Sequence, residues 1–240
     1  MTRHVDVAVL QPSYLPWLGY FDLVALADTF VIYDDVQFDR GGWRNRNRLL
    51  GHNGAPQWLT VPVQIKGHMS ASLREVQLPN DRWAKKHAAT LRAVYGRAPH
   101  FEWCYPALET FLLGHHYTRL LDLCLEGHRV LADLLGVQTP VRLSSELGFA
   151  GAGRTERLVE ICRLLGASRY VSGDAARAYM DEPQWASAQI ELAYHGYPHP
   201  AYAQRGKHAF VSHLSVVDAL MFAGPAAQDF VGISHDKERS

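Results

Sequence analysis

The stretch VDVAVLQPSYLPWLGYFDLVALADTFVIYDDVQFDRGGWRNRNRL, residues 5–49, decides the fold. It opens on VDVAVL, short and β-branched, as in a parallel strand buried on both faces. Gln11-Pro12-Ser13 breaks that strand. Pro16 is placed to start a helix as its first residue, where its missing N–H has no partner to lose. From Trp17 to Ala27 the apolar positions Leu18, Phe21, Leu23 to Leu26 and Ala27 suit a helix laid against a sheet. Asp28-Thr29 ends it, and FVIY at 30–33 gives a second strand. Strand, helix and strand over so short a span make a βαβ unit.

Gly41-Gly42 then turns the chain into a ribbon in which Arg44, Arg46 and Arg48 alternate with Asn45 and Asn47. In an extended backbone the guanidinium groups fall on one face and the amides on the other. Residues 57–63 and 73–78 predict two more strands, with Lys66-Gly67-His68 in the loop between them. The middle reads as helical over 80–96, 101–113 and 117–135, the first capped by Asn80 or Asp81 and the last closed by Gly136. After Pro140 the α/β pattern returns. VRLSSEL is a strand, Gly151 to Gly153 lead to a helix at 154–165, ASRYVSGD is a strand followed by a turn, and IELAYH is another strand. Ser215 caps a final helix that stops at Gly224-Pro225. The expectation is one α/β domain over 1–240, a mainly parallel, Rossmann-like sheet with flanking helices and a helical insertion at about 80–136.

Composition narrows the function classes. Formal net charge is zero, so no global field favours nucleic acid or an anionic membrane, and any anion site must be local. The three cysteines, Cys104, Cys124 and Cys162, suit neither a disulfide framework nor a zinc site. No apolar run approaches the roughly 18 residues of a membrane span, and the start lacks a signal-peptide core. A cytoplasmic location is expected.

Ligands of open α/β sheets bind beyond the carboxyl ends of the strands. The loop from Gln11 to Tyr20 lies there, with Gln11 and Tyr14 as hydrogen-bonding groups and Gly19 permitting close approach. The competing reading is a rigid strand-to-helix turn. Asp34-Asp35 could hold a ribose, position Mg²⁺ or act as general base, or else pair with the nearby arginines. Arg40, Arg44, Arg46 and Arg48, with Trp43, Asn45 and Asn47, predict a shaped anion pocket rather than a diffuse basic patch. Ser172-Gly173, followed by Arg177, ends another strand and could contact a phosphate. Among thirteen histidines, His87, His195, His199 and His213 are candidates for moving protons, each against a structural alternative. No metal-ligand spacing occurs, so no metal site is expected, and without a G-x-S-x-G elbow, P-loop or G-x-G-x-x-G the ordinary hydrolase, NTPase and Rossmann-dehydrogenase readings lose weight.

The segment QPSYLPWLGYFDLVALADTFVIYDDVQFDRGGWRNRNRL resembles the opening of the WbqC-like protein family. WAKKHAATLRAVY, APHFEW, SRYVSGDAARAYMD, IELAYHGYPHPAY and HLSVVDALMFAG extend the resemblance over almost the whole chain. That bacterial family often sits in gene clusters for surface polysaccharides and other secondary pathways. The resemblance implies biosynthetic group transfer, such as aminoacyl or acyl transfer to an amine. A fainter similarity is to the nucleotidyltransferase and class I aminoacyl-tRNA synthetase-like superfamily. It would make Gly19 a motif glycine and Ser172, Gly173 and Arg177 phosphate ligands. That superfamily's histidines are replaced here by Trp17 or Leu18 and Tyr20, and Asp174 stands for threonine, which implies a nucleotide fold with altered chemistry.

The expected enzyme binds a phosphorylated or nucleotide-activated substrate on the 11–20 loop and the arginines, with Asp34 or Asp35 and His87 or His199 moving protons. The cofactor is left open, although a nucleotide with Mg²⁺ would suit the carboxylates. Two alternatives are an aminoacyl-tRNA-dependent transferase and a non-catalytic nucleotide-sugar binding protein.

Overall fold

The computed structural model describes residues 4–64, 71–148, 153–206 and 208–232. Five strands form one parallel sheet: β1 (Asp6–Leu10), β2 (Thr29–Ile32), β5 (Val141–Leu143), β6 (Arg169–Gly173) and β7 (Glu191–His195). Their spatial order is β5-β2-β1-β6-β7, every neighbour parallel. β1 is therefore central. Ala8 faces one apolar cluster while Val7 and Val9 face another, which explains its unbroken apolar run.

α1 (Leu18–Leu26) covers the first face, joined by α2 (Arg82–Tyr95), α3 (Phe101–Leu113), α4 (Leu120–Leu135) and α7 (Val216–Ala223), all in one continuous core. α5 (Arg154–Leu164) and α6 (Glu182–Ala188) cover the second face. From β1 the chain moves outward to β2, whereas β6 lies on the other side of β1. The strand order thus reverses at β1–β6, the place where α/β sheets of this kind hold ligands.

The expected elements recur with four differences. The expected strand VRLSSEL is strand only over Val141–Leu143, and Ser144–Glu146, where Ser145 donates to Asp34, wind into a 3-10 turn. Trp17, not Pro16, occupies the start of α1, and Leu18 is its first helical residue. The Pro16 carbonyl instead accepts from the Val216 N–H at 2.8 Å, tying this loop to α7. Residues 73–78 do not form a strand. Glu75 accepts from the backbone N–H and the hydroxyl of Ser72, a capping box that winds Leu73–Glu75 into a 3-10 turn. The buried residues Leu73 and Val76 then have the spacing of a turn, not of a pleat. A 3-10 turn at Asp174–Ala178 and α6 fill a stretch without an expected element.

β3 (Arg46–Leu50) and β4 (Pro56–Thr60) form an antiparallel pair separate from the main sheet. The alternation in the ribbon is real. Asn45 and Asn47 are buried while Arg44, Arg46 and Arg48 are partly exposed. Lys66-Gly67-His68 and Gly151 lie outside the described residues.

Candidate active site

A cavity of about 1090 Å³ opens at the carboxyl ends of β1, β2 and β6, over the point where the strand order reverses. Gln11 enters it from β1, Tyr33 and Asp35 from β2, and Ser172 and Gly173 from β6. The loop after β2 adds Asp39, Arg40 and Arg44, and the first turns of α5 add Arg154 and Arg157. Tyr170, Tyr179 and Met180 supply apolar wall. Four arginines and two aspartates therefore share one cleft with three tyrosines.

The two adjacent carboxylates of β2 have different surroundings. Asp34 is 1% exposed, and its carboxylate accepts from the Ser145 N–H at 3.0 Å and the Ser145 hydroxyl at 2.7 Å. The Ser144 hydroxyl lies 3.0 Å from Asp34 Oδ1 and 2.6 Å from Asp35 Oδ1, and accepts from the Asp34 N–H. Asp34 therefore pins β2 to the turn after β5. Asp35 faces the cavity, where Arg157 meets its other oxygen at 2.7 Å. Arg157 also donates to the Tyr33 hydroxyl at 2.8 Å. Burial works against the guanidinium charge, but Tyr33 and Asp35 more than offset it and raise the Arg157 pKa. Burial also raises the phenol of Tyr33, with Arg157 pulling the other way.

Arg44 pairs with Asp39 at 3.2 Å on the opposite rim. The double glycine makes that approach possible. Gly41 has φ of +79°, and a Cβ on Gly42 would fall 1.9 Å from Asp39 Oδ2.

The other residues singled out in the sequence sit elsewhere. Arg46 lies 4.2 Å above the Trp58 ring and donates to the carbonyls of Gly41 and Gly42. Arg48 donates to the His213 carbonyl, 5.2 Å from the Trp43 ring. Asn45 donates to the Val61 carbonyl and Asn47 to that of Tyr14, so both amides hold the hairpin on its support. Tyr14 is fully buried with its hydroxyl 2.9 Å from His87 Nδ1, and burial pushes His87 down to about 4. His199 stacks on Trp17 and lies beside His213, its pKa lowered mainly by burial. His195 is buried against Asp22 at 2.5 Å. Gly19 makes room for its neighbour, since a Cβ there would lie 2.2 Å from the Trp17 ring. Arg177 packs 3.8 Å over Tyr194 and pairs with Asp174.

Of the residues singled out, Gln11, Asp35, Arg44, Ser172 and Gly173 line the cavity, as does Arg40. Sequence reasoning passed over Arg154, Arg157, Tyr33, Tyr170 and Tyr179. The arginines at 154 and 157 are one turn apart at the start of a helix and so share a face, a legible signal. Among the described residues no group of three or more histidine, cysteine, aspartate or glutamate side chains could hold a metal ion. No helix among the described residues is long and apolar enough to cross a membrane.

An α/β protein with an arginine-lined cleft at the switch point of its sheet is the class that this geometry defines. The profile of the WbqC-like protein family matches residues 11–230, and the chain belongs to that family. It is 36% identical over 225 residues to the uncharacterized protein Rv1507c of Mycobacterium tuberculosis, covering 94% of this chain and 96% of that one. No solved structure matched.

Proposed function

We propose that the chain is a biosynthetic group-transfer enzyme whose cavity binds a phosphorylated or nucleotide-activated substrate and passes an acyl or aminoacyl group to an amine. The observation that carries this is the set Arg40, Arg44, Arg154 and Arg157 at the β1–β6 switch point in a chain of zero net charge. Guanidinium forks match phosphate oxygens, and a cleft concentrates their field where the rest of the surface does not. Tyrosine rings and the Gln11 and Ser172 side chains would orient the remainder of the substrate.

Asp35 is the proton acceptor in this reading. Its Oδ2 is paired with Arg157 at 2.7 Å. A substrate phosphate competes for that guanidinium and leaves the carboxylate with fewer donors. The amine nitrogen then forms its bond to the acyl carbon as the bond from that carbon to the phosphate oxygen breaks. The amine proton passes to Asp35, and the arginines take the charge that appears on the departing phosphate. The acyl and amine chemistry rests on the family resemblance, and the phosphate on the cavity.

Calorimetric titration with uridine diphosphate, used as a phosphate probe, tests the reading. Arg157→Ala is expected to weaken binding by about tenfold or more, the worth of one good charge-assisted contact. Arg46→Ala, which lies off the cavity, is expected to leave the isotherm within about twofold. Wild-type isotherms for both Arg157→Ala and Arg44→Ala would overturn the assignment.

A further inference from the structure

The outer face of the β3–β4 hairpin has no role in the cavity. Trp43 is 42% exposed and Trp58 48% exposed, and their rings lie 5.1 Å apart. Large exposed aromatics in one patch are uncommon on a surface that meets only water. Arg46 lies over Trp58, and Arg48 sits opposite Trp58 in the ladder, near both rings.

Neither arginine has a carboxylate partner among the described residues. Arg46 is held by the carbonyls of Gly41 and Gly42, and Arg48 by that of His213. Other arginines such as Arg44, Arg157 and Arg169 are matched with acids, Asp39, Asp35 and Asp6. Two oriented guanidinium groups against two exposed indoles thus combine uncompensated positive charge with flat stacking surface. That pairing is complementary to unpaired bases joined by phosphates, since bases stack on aromatic and guanidinium planes while phosphates meet the cations. A neutral glycan would use the indoles and leave both charges unmatched.

The hairpin also points a bound strand somewhere. The loop holding Arg46 runs from Asp39 and Arg40 on the cavity rim through Gly41 and Gly42 to Trp43. Trp43 is thus only three residues along the chain from Arg40, which lines the cavity.

We propose that the Trp43–Trp58–Arg46–Arg48 face is a docking platform for a short single-stranded nucleic acid, one end of which is directed at the cavity. Only the direction of that end rests on the reading of the cavity as a transfer site. Binding to the platform does not. Zero net charge keeps the footprint small, because few phosphates can be neutralised.

Fluorescence anisotropy with labelled single strands of about ten nucleotides, RNA and DNA in parallel, is the test, at about 50 mM salt where phosphate contacts are strongest. Both indoles and Arg46 are surface groups, so Trp43→Ala/Trp58→Ala and Arg46→Gln are expected to fold, as far-ultraviolet circular dichroism checks. The double tryptophan variant is expected to lose about tenfold or more in affinity. The logarithm of Kd is expected to rise against the logarithm of salt with a slope of about 1.4, for two phosphates of a single strand. Arg46→Gln is expected to halve that slope. Tighter RNA than DNA binding would identify the 2′-hydroxyl as part of the ligand, and equal binding would make the backbone and bases sufficient. No binding by the wild type, unaltered binding by the tryptophan variant, or displacement of the strand by neutral dextran overturns the platform. Arg157→Ala separates the two readings, since it should retain strand binding while losing uridine diphosphate. If it keeps both, the cavity assignment fails and the platform stands.

Discussion

The carboxyl edge of the parallel sheet and the β3–β4 hairpin are both rich in arginine, yet they hold it differently. At the sheet edge Arg157 and Arg44 meet carboxylates, so their charges are matched in place and a ligand must compete for them. On the hairpin Arg46 and Arg48 meet carbonyls and indoles and keep their charge for outside use. The supports differ as well. The cavity rim hangs on a carboxyl group, that of Asp34, whereas the hairpin rests on a neutral histidine, His87, through Tyr14 and Asn47. Proximity in sequence thus says little about shared function: Arg44 and Arg46 are two residues apart and serve different surfaces.

The rim support should give the largest effect. Replacing Asp34 with alanine strips the acceptor from the Ser145 N–H and hydroxyl and from its share of Ser144. Leaving such buried donors unmatched costs about 1–3 kcal/mol each, so roughly 4 kcal/mol is expected in all. Asp35→Ala is expected to cost about 1 kcal/mol or less, because its pair with Arg157 is partly exposed and screened. Urea unfolding of the two variants reads the contrast. Equal losses would erase the distinction between the anchoring and the cavity-facing carboxylate.

Acid should act on the other support, and on a second buried histidine, His128, that bonds the Tyr20 hydroxyl. Burial holds His87 and His128 down to about 4, against 6.5 for the free side chain. Between those values the unfolded chain binds more protons than the folded one, so stability rises with pH across the window. This contribution is complete above about 6.5 and is lost as pH falls towards 4, at about 3 kcal/mol per histidine. His128→Gln, which keeps a polar group near the Tyr20 hydroxyl, should flatten the fall in urea midpoint between neutral pH and pH about 4.5. A variant as acid-sensitive as the wild type would mean that His128 is not a buried neutral imidazole. Next in size come the effects on binding, where Arg157→Ala and the tryptophan double variant should each remove one ligand and spare the other.

How much of this was legible follows from the range of the forces involved. The β1–α1–β2 unit, the helices of the middle and the in-out alternation of residues 44–48 are local patterns, and the residues announce them. The division of labour between Asp34 and Asp35 depends on Ser144 and Ser145, more than a hundred residues away. Arg154 and Arg157 read as the polar face of a helix until β5 and β6 bring that helix over the sheet edge. The ribbon is the converse case. Its composition drew all its arginines into one anion site, but the strand pairing with β4 places Trp58 under Arg46 and turns Arg46 and Arg48 outward. The strand expected at 73–78 yielded to a capping box, a side-chain device that apolar spacing alone does not register.

Gly19 offers the finest discrimination between the two regions. As a ligand-facing glycine it would belong with the cavity, but its missing Cβ is filled by the ring of Trp17. That ring is itself fixed, stacked on His213 at 4.9 Å and on His199 at 6.1 Å, and cannot simply swing away. Alanine within α1 gains about 1 kcal/mol of helix propensity over glycine. Overpacking a settled contact costs about 1–3 kcal/mol, so Gly19→Ala should lose on the order of 1 kcal/mol net. The displaced indole would push on His213, whose carbonyl receives Arg48, and so disturb the hairpin before the cavity. Strand binding should therefore weaken by a few-fold at most while the uridine diphosphate isotherm stays put, since a shift in one partly exposed hydrogen bond is worth under about 1 kcal/mol. If the variant instead loses the nucleotide and keeps the strand, the loop after β1 works for the cavity, and the boundary between the two regions falls on the other side of Trp17.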